Sequence, residues 1–169
     1  YYKKFYDFQQ SIQAPIRVFS LNYDQCLEKA KPSDYELECG FDEDNKWSSE
    51  RFSNTFGISA GIYLYKLHGS IDWIRDSTTG VLTRYDSPQE YAELIFGTDA
   101  KLQSVDPFLF NVYELRYYSL LCKLIVVIGY SFNDSHINGL LGQALRASNR
   151  KLLVVDTHDD YTKSILEKL

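Results

Sequence analysis

Methionine is absent from the chain. A sequence that lacks it and opens at Tyr1, inside what reads as a helix, is expected to be a fragment of a longer parent. Long hydrophobic runs are missing too. The longest lies around Leu124–Ile128, well short of the roughly 18–20 apolar residues of a membrane span. No basic-then-apolar signal segment opens the chain, so neither membrane insertion nor export is expected. Positive charge is scarce, with 18 Lys and Arg against 23 Asp and Glu for a net charge of −5. No Lys/Arg stripe offsets this locally, which argues against direct nucleic-acid binding by this segment. Only three cysteines occur, Cys26, Cys39 and Cys122. Odd in number and without a C-x-x-C pair, they point to neither a disulfide framework nor a zinc ribbon, and they suit a reducing cytoplasm. Metal-ligand spacing such as H-E-x-x-H is missing among the His, Cys and acidic residues, so no metal is expected. A G-x-S-x-G elbow is missing as well, and Ser70 has no obvious His partner, which disfavours serine hydrolysis.

What is present reads as an ordinary folded domain. The 169 residues are 44% hydrophobic and 24% charged, enough for one domain over residues 1–169 with a substantial core. Tyr2, Phe5, Tyr6 and Ile12 share a helical face that Pro15 ends. Arg17–Leu21 then reads as a short buried strand leading into Asn22-Tyr23-Asp24. Residues 31–61 are rich in Ser, Asp, Asn and Gly without a sustained period, an irregular excursion with room for one short strand. Ile62–Leu67 is a strand ending at His68-Gly69-Ser70. The turn at Thr78–Gly80 predicts a hairpin, Pro88 with the following QEYAELI predicts a short helix, and Pro107 opens an apolar helix over FLFNVYELRYYSLL.

The strongest local pattern comes last. Leu124–Ile128, Gly129-Tyr130-Ser131, a helix and Leu152–Val155 closing on Asp156 have the size of a β-α-β unit. Ile137, Leu140, Leu141, Ala144 and Leu145 form one helical face, with Asn133 or Asp134 as its cap. Both strands are apolar throughout, as parallel strands covered on both faces are. The implied class is α/β, a Rossmann-like parallel sheet flanked by helices.

Two groups of residues could carry chemistry. Gly129 and Ser131 lie at a strand-to-helix turn, where backbone N–H groups favour a phosphate, and Asp156 ends the next strand, where an acid can accept ribose hydroxyls. Against this, G-x-G-x-x-G is absent, and the same residues also suit a plain turn at Gly129 with Asp156 capping the 159–169 region. The second group is His68 with Asn22 and Asp24. An imidazole titrates near neutral pH and suits general-base work, and in a parallel sheet strand exits gather along the edge where α/β ligands bind. His136, in the opening turn of a helix, and His158, in a loop, have no comparable setting. The many aromatics, 14 Tyr and 10 Phe, are too scattered for a cofactor box and read as core.

Taken in order, SLNYD at Ser20–Asp24, KLHGSIDW at Lys66–Trp73, VVIGYSFND at Val126–Asp134 and VVD at Val154–Asp156 resemble the sirtuin-like NAD-binding family. The likeness is to a bacterial branch with LHGSIDW and GYSF-x-D patterns. The resemblance implies that Asn22 sits beside the nicotinamide ribose and orients the nucleophile, that Asp24 holds the nicotinamide carboxamide, and that His68 is the base. It implies further that Gly129 and Ser131 contact ribose and phosphate and that Asp156 lies near the adenosine ribose. NAD⁺ would be a substrate, cleaved to nicotinamide and ADP-ribose without a metal. Members of this branch are commonly antiphage-defence effectors that work as oligomers with a sensor domain or partner protein. Two departures are visible. The family's Gly-rich G-A-G-x-S loop would precede Tyr1, and residues 74–107 lack the cysteines of the zinc module found in the deacylases. The alternatives are an NAD-dependent deacylase or ADP-ribosyltransferase, and a non-catalytic module that senses NAD or ADP-ribose.

Overall fold

A computed structural model describes residues 1–53, 60–95, 105–157, 165 and 167–169. The chain forms two compact units, one of residues 1–96 and 102–111 and one of residues 97–101 and 112–169.

The first unit is organised by one strand. β1 (Ile16–Ser20), β2 (Leu37–Glu38) and β3 (Ile62–Lys66) make a parallel sheet in the order β1-β3-β2. Every residue of β3 is buried, as expected of a central parallel strand with both faces covered. Because side chains alternate across a strand, its two faces build two cores. Ile62 and Leu64 pack with Tyr6 of α1 (Lys3–Ile12), Leu27 of α2 (Cys26–Lys29) and Tyr35. Tyr63 and Tyr65 pack with Phe52 and Ala60, and Phe19 and Phe110 lie against them. Phe52 closes a 3-10 helix, Ser49–Phe52. A third cluster, Phe41, Trp73 and Leu82, seats the hairpin of β4 (Trp73–Arg75) and β5 (Leu82–Arg84). The hairpin's turn lies at the predicted Thr78–Gly80, where Gly80 takes a φ of +73°.

One predicted element is absent. Residues 88–95 are not helical. Their amides are used elsewhere: Gln89 donates to the Ile71 carbonyl, Glu93 to that of Trp73 and Ile95 to that of His68. The segment is a strap along the 68–73 stretch, and long-range backbone pairing has overridden its local helical signal. Among its described residues, the excursion over 31–61 contains the short strand expected, β2, together with the 3-10 helix. The four-residue α2 was not foreseen.

The second unit holds the end of α3 (Phe108–Leu121), whose first turn belongs to the first unit. It continues through β6 (Leu124–Ile128), α4 (Ser135–Leu145) and β7 (Lys151–Val155). β6 and β7 pair in parallel from Leu124↔Lys151 to Ile128↔Val155, the β-α-β unit read from the sequence. Asp134, one of the two predicted caps, caps α4 by accepting from the amides of His136 and Ile137 at 2.9 and 3.1 Å. The expectation of strands covered on both faces does not hold. Leu124, Val126, Ile128, Leu153 and Val155 are 42–52% exposed, and the register places them on one face, with Val127 buried on the other. Among the described residues the parallel strands pair within two sheets, and the molecule is a mixed α/β fold of parallel sheets flanked by helices.

Candidate functional site

The end of the β1–β3 ladder positions the first group of candidates. Ser20 pairs with Lys66, and the chain leaves both strands at the same edge. Asn22, exposed, follows β1, while His68, half-buried, follows β3. The two exits are fastened to each other. The Leu67 amide donates to the Ser20 carbonyl at 2.9 Å and the Ile71 amide to the Tyr23 carbonyl at 3.0 Å. Ser70 Oγ donates to the same Tyr23 carbonyl at 3.2 Å. The Tyr23 hydroxyl donates to the Ile95 carbonyl at 2.6 Å, and the Ile95 amide donates to the His68 carbonyl. The Tyr23 and His68 rings lie 6.4 Å apart between centroids. Gly69 makes the sharp exit possible. Its φ is +86°, and a Cβ there would stand 2.0 Å from the Glu93 carbonyl oxygen.

Beside this edge a pocket of about 50 Å³ is lined by Ser20, Asn22, Asp24, Glu28 and Lys66, with Tyr2, which precedes α1, and Phe5 of α1 as an aromatic wall. The two rings stack at 6.4 Å with an interplanar angle of 24°. Burial alone would push the Asp24 carboxyl up, but hydrogen bonds from the Cys26 thiol and amide, with the Lys66 ammonium nearby, outweigh it and hold the carboxyl below the usual range. Its Oδ1 accepts the Cys26 amide at 2.8 Å. Glu28 goes the other way: burial raises its pKa, against the pull of Lys66. Burial, followed by the charge of Asp24, raises the Tyr2 phenol. Carboxylate, ammonium, amide and flat aromatic surface together give donors and acceptors for a carboxamide and a wall for a planar ring.

The second group lies on the second unit. Gly129 has a φ of +63° and open space where a side chain would be. Its amide donates to the Val155 carbonyl at 3.0 Å, which continues the β6–β7 ladder by one rung and brings Gly129 next to Asp156. Asp156 Oδ1 accepts the Thr157 amide at 2.6 Å. Ser131 is exposed, and its carbonyl accepts Lys168 Nζ at 3.3 Å. The amides of His136 and Ile137 in the first turn of α4 are occupied by Asp134 and that of Gly129 by Val155, so an anion at this turn would be met by the backbone amides of Tyr130 and Ser131. Tyr130 is tied to Asn138 Oδ1 at 2.8 Å, and burial raises its pKa to about 12. His136 is exposed in the first turn of α4, and His158 lies outside the described residues.

Sequence reading missed Lys66, Glu28, Tyr2 and Phe5 as parts of the pocket. For Lys66 a signal existed: it is the one charged residue in an otherwise uncharged buried strand, two positions after Leu64 and on the same face. The other three depend on how α1 and α2 pack, which no local pattern states. Among the described residues no group of His, Cys, Asp and Glu is arranged to hold a metal ion, and no helix is long and apolar enough to cross a membrane.

No curated protein matches the chain in sequence. The model of one family, the SIR2-like domain, matches residues 16–169, which include both groups of site residues and all the strands, and the chain belongs to that family.

Proposed function

We propose that the protein hydrolyses NAD⁺ to nicotinamide and ADP-ribose. The observation that carries this reading is the placement of Asn22 and His68 at neighbouring strand exits, with Asp24 in the adjoining pocket. Membership of an NAD-using family supplies the substrate. In the reaction the bond between ribose C1′ and the nicotinamide nitrogen breaks, and a bond from C1′ to a water oxygen forms. Asn22 orients that water, His68 takes its proton, and Asp24 accepts from the nicotinamide carboxamide while the Tyr2–Phe5 wall faces the ring. Gly129 and Ser131 serve the ribose and phosphates and Asp156 the adenosine ribose.

Hydrolysis is favoured over deacylation because residues 74–107 contain no cysteine, so the zinc module beside the deacylases' acyl-lysine groove has no ligands here. The LHGSIDW and GYSF-x-D patterns support a role as a bacterial antiphage-defence effector. In that role the domain, residues 1–169, works in the cytoplasm as part of an oligomer, under a fused sensor or a partner protein.

The test is nicotinamide release from NAD⁺ by the full-length parent, without acyl peptide, with its activator present and beside His68→Ala. Release that is lost in the variant is the expected result. A folded, NAD-binding protein that releases none would overturn the reading. A requirement for an acceptor would move it to transfer, and binding without turnover to a sensor.

A further inference from the structure

Lys66 ends a strand that is otherwise uncharged and is itself 2% exposed. It shares a face with Ile62 and Leu64, where a Leu or Met would fit the core. An ammonium in such a place is tolerated only when paired, and a well-packed apolar residue there is often at least as stable. Stability alone therefore does not account for the lysine.

Its contacts point to another role. Lys66 Nζ donates to the Asp24 carbonyl, and Glu28 Oε1 stands 3.5 Å from the same ammonium. One residue earlier in the same loop, the Tyr23 carbonyl accepts from the Ile71 amide and Ser70 Oγ. Two consecutive carbonyls of the loop that follows β1 are thus gripped by residues on either side of His68. Asn111 Nδ2 fixes the lysine's own carbonyl at 3.0 Å, so the grip starts from a held backbone.

We propose that Lys66 is a positioning residue of the NAD⁺-cleaving site, its ammonium anchored by Glu28 and holding the Asp24 carbonyl so that Asn22 and Asp24 keep their register against His68. This rests on the function proposed above. The ammonium acts through the loop it holds and exchanges no proton with the substrate.

The experiment uses the full-length protein and the variant Lys66→Met/Glu28→Gln, which removes both charges of the pair together. Nicotinamide release from NAD⁺ is measured as kcat and KM, beside the thermal midpoint. The expected result is a kcat at least tenfold lower and a raised KM, with a midpoint at or near that of the wild type. A folded variant with kcat and KM within twofold of wild type overturns the proposal, as does a lowered midpoint with unchanged kcat, the signature of a purely structural lysine. Should the double variant fail to fold, Glu28→Gln alone decides: a several-fold drop in kcat at unchanged midpoint is expected, and no drop overturns. Hydrogen exchange separates this proposal from the functional reading. The Cys26 amide, bonded to Asp24, exchanges at least tenfold faster in the folded variant if Lys66 holds the loop, even if the wild type releases no nicotinamide. Unchanged exchange overturns the brace and leaves the functional reading standing.

Discussion

Asn22 and His68 each lie two residues beyond the same rung of the β1–β3 ladder, the Ser20↔Lys66 pair. Residues far apart in sequence are thereby set by backbone pairing at one edge of a sheet whose central strand is wholly buried. This is the rigid support that the proposed catalytic pair needs.

Asn22→Ala and His68→Ala are each expected to lower nicotinamide release at least about a hundredfold, the scale of losing a positioned base or amide. Asn22 is exposed and His68 half-buried, so the fold should tolerate both changes. Steady-state rates beside melting curves check this, and wild-type turnover by either variant removes that residue from the mechanism.

Gly69→Ala should cost the fold at least about 2 kcal/mol, since the added Cβ meets backbone and the φ is left-handed. Urea denaturation measures the loss. A change below about 0.5 kcal/mol would mean that the strap at Glu93 can move aside.

The sequence made the β-α-β unit, the central strand and both exit groups legible, because periodicity and turn residues are local signals. Other features were hidden. QEYAELI has helical composition, but its amides serve residues 68–73, a long-range bargain that local propensity does not register. The apolar β6 and β7 read as doubly covered, although the register exposes Val126 and Leu153 together. Lys66 is plain in the sequence, yet its meaning depends on α2 bringing Glu28 to it.

Tyr6 is 1% exposed, and its hydroxyl donates to the Leu27 carbonyl at 2.7 Å, tying α1 to α2. Tyr6→Phe leaves that carbonyl with the Ala30 amide, at 3.1 Å, as its remaining donor and should cost about 1 kcal/mol. Chemical denaturation reads it, and an unchanged midpoint would show the bond to be dispensable.

Asp24 has a depressed pKa in the folded state, so the unfolded chain binds more protons through the interval between the two values. Its contribution to stability is fully present above the unfolded value, about 3.9, and is lost as pH falls through the lower folded value. Asp24→Asn should therefore show a shallower loss of stability than wild type below about pH 4. Parallel acid-denaturation profiles would contradict this.

Val126→Thr with Leu153→Thr should lower binding of a hydrophobic dye and raise solubility, since both side chains are about half exposed on one apolar face. The thermal midpoint should move little. Unchanged dye binding would mean that this face is covered in solution.

The ladder that sets the site also orders events during synthesis. Among the described residues β1 pairs with β3, from Ile16↔Ile62 to Ser20↔Lys66, and long-range parallel pairing is slow to close. A nascent chain therefore carries β1 and the Asn22–Asp24 loop for more than forty residues of translation before their partner emerges. During that interval β1 has an open edge, the state most exposed to pairing with another chain. Substitutions that slow closure of this rung will lower the yield of folded protein before they change any rate measured on the protein that survives.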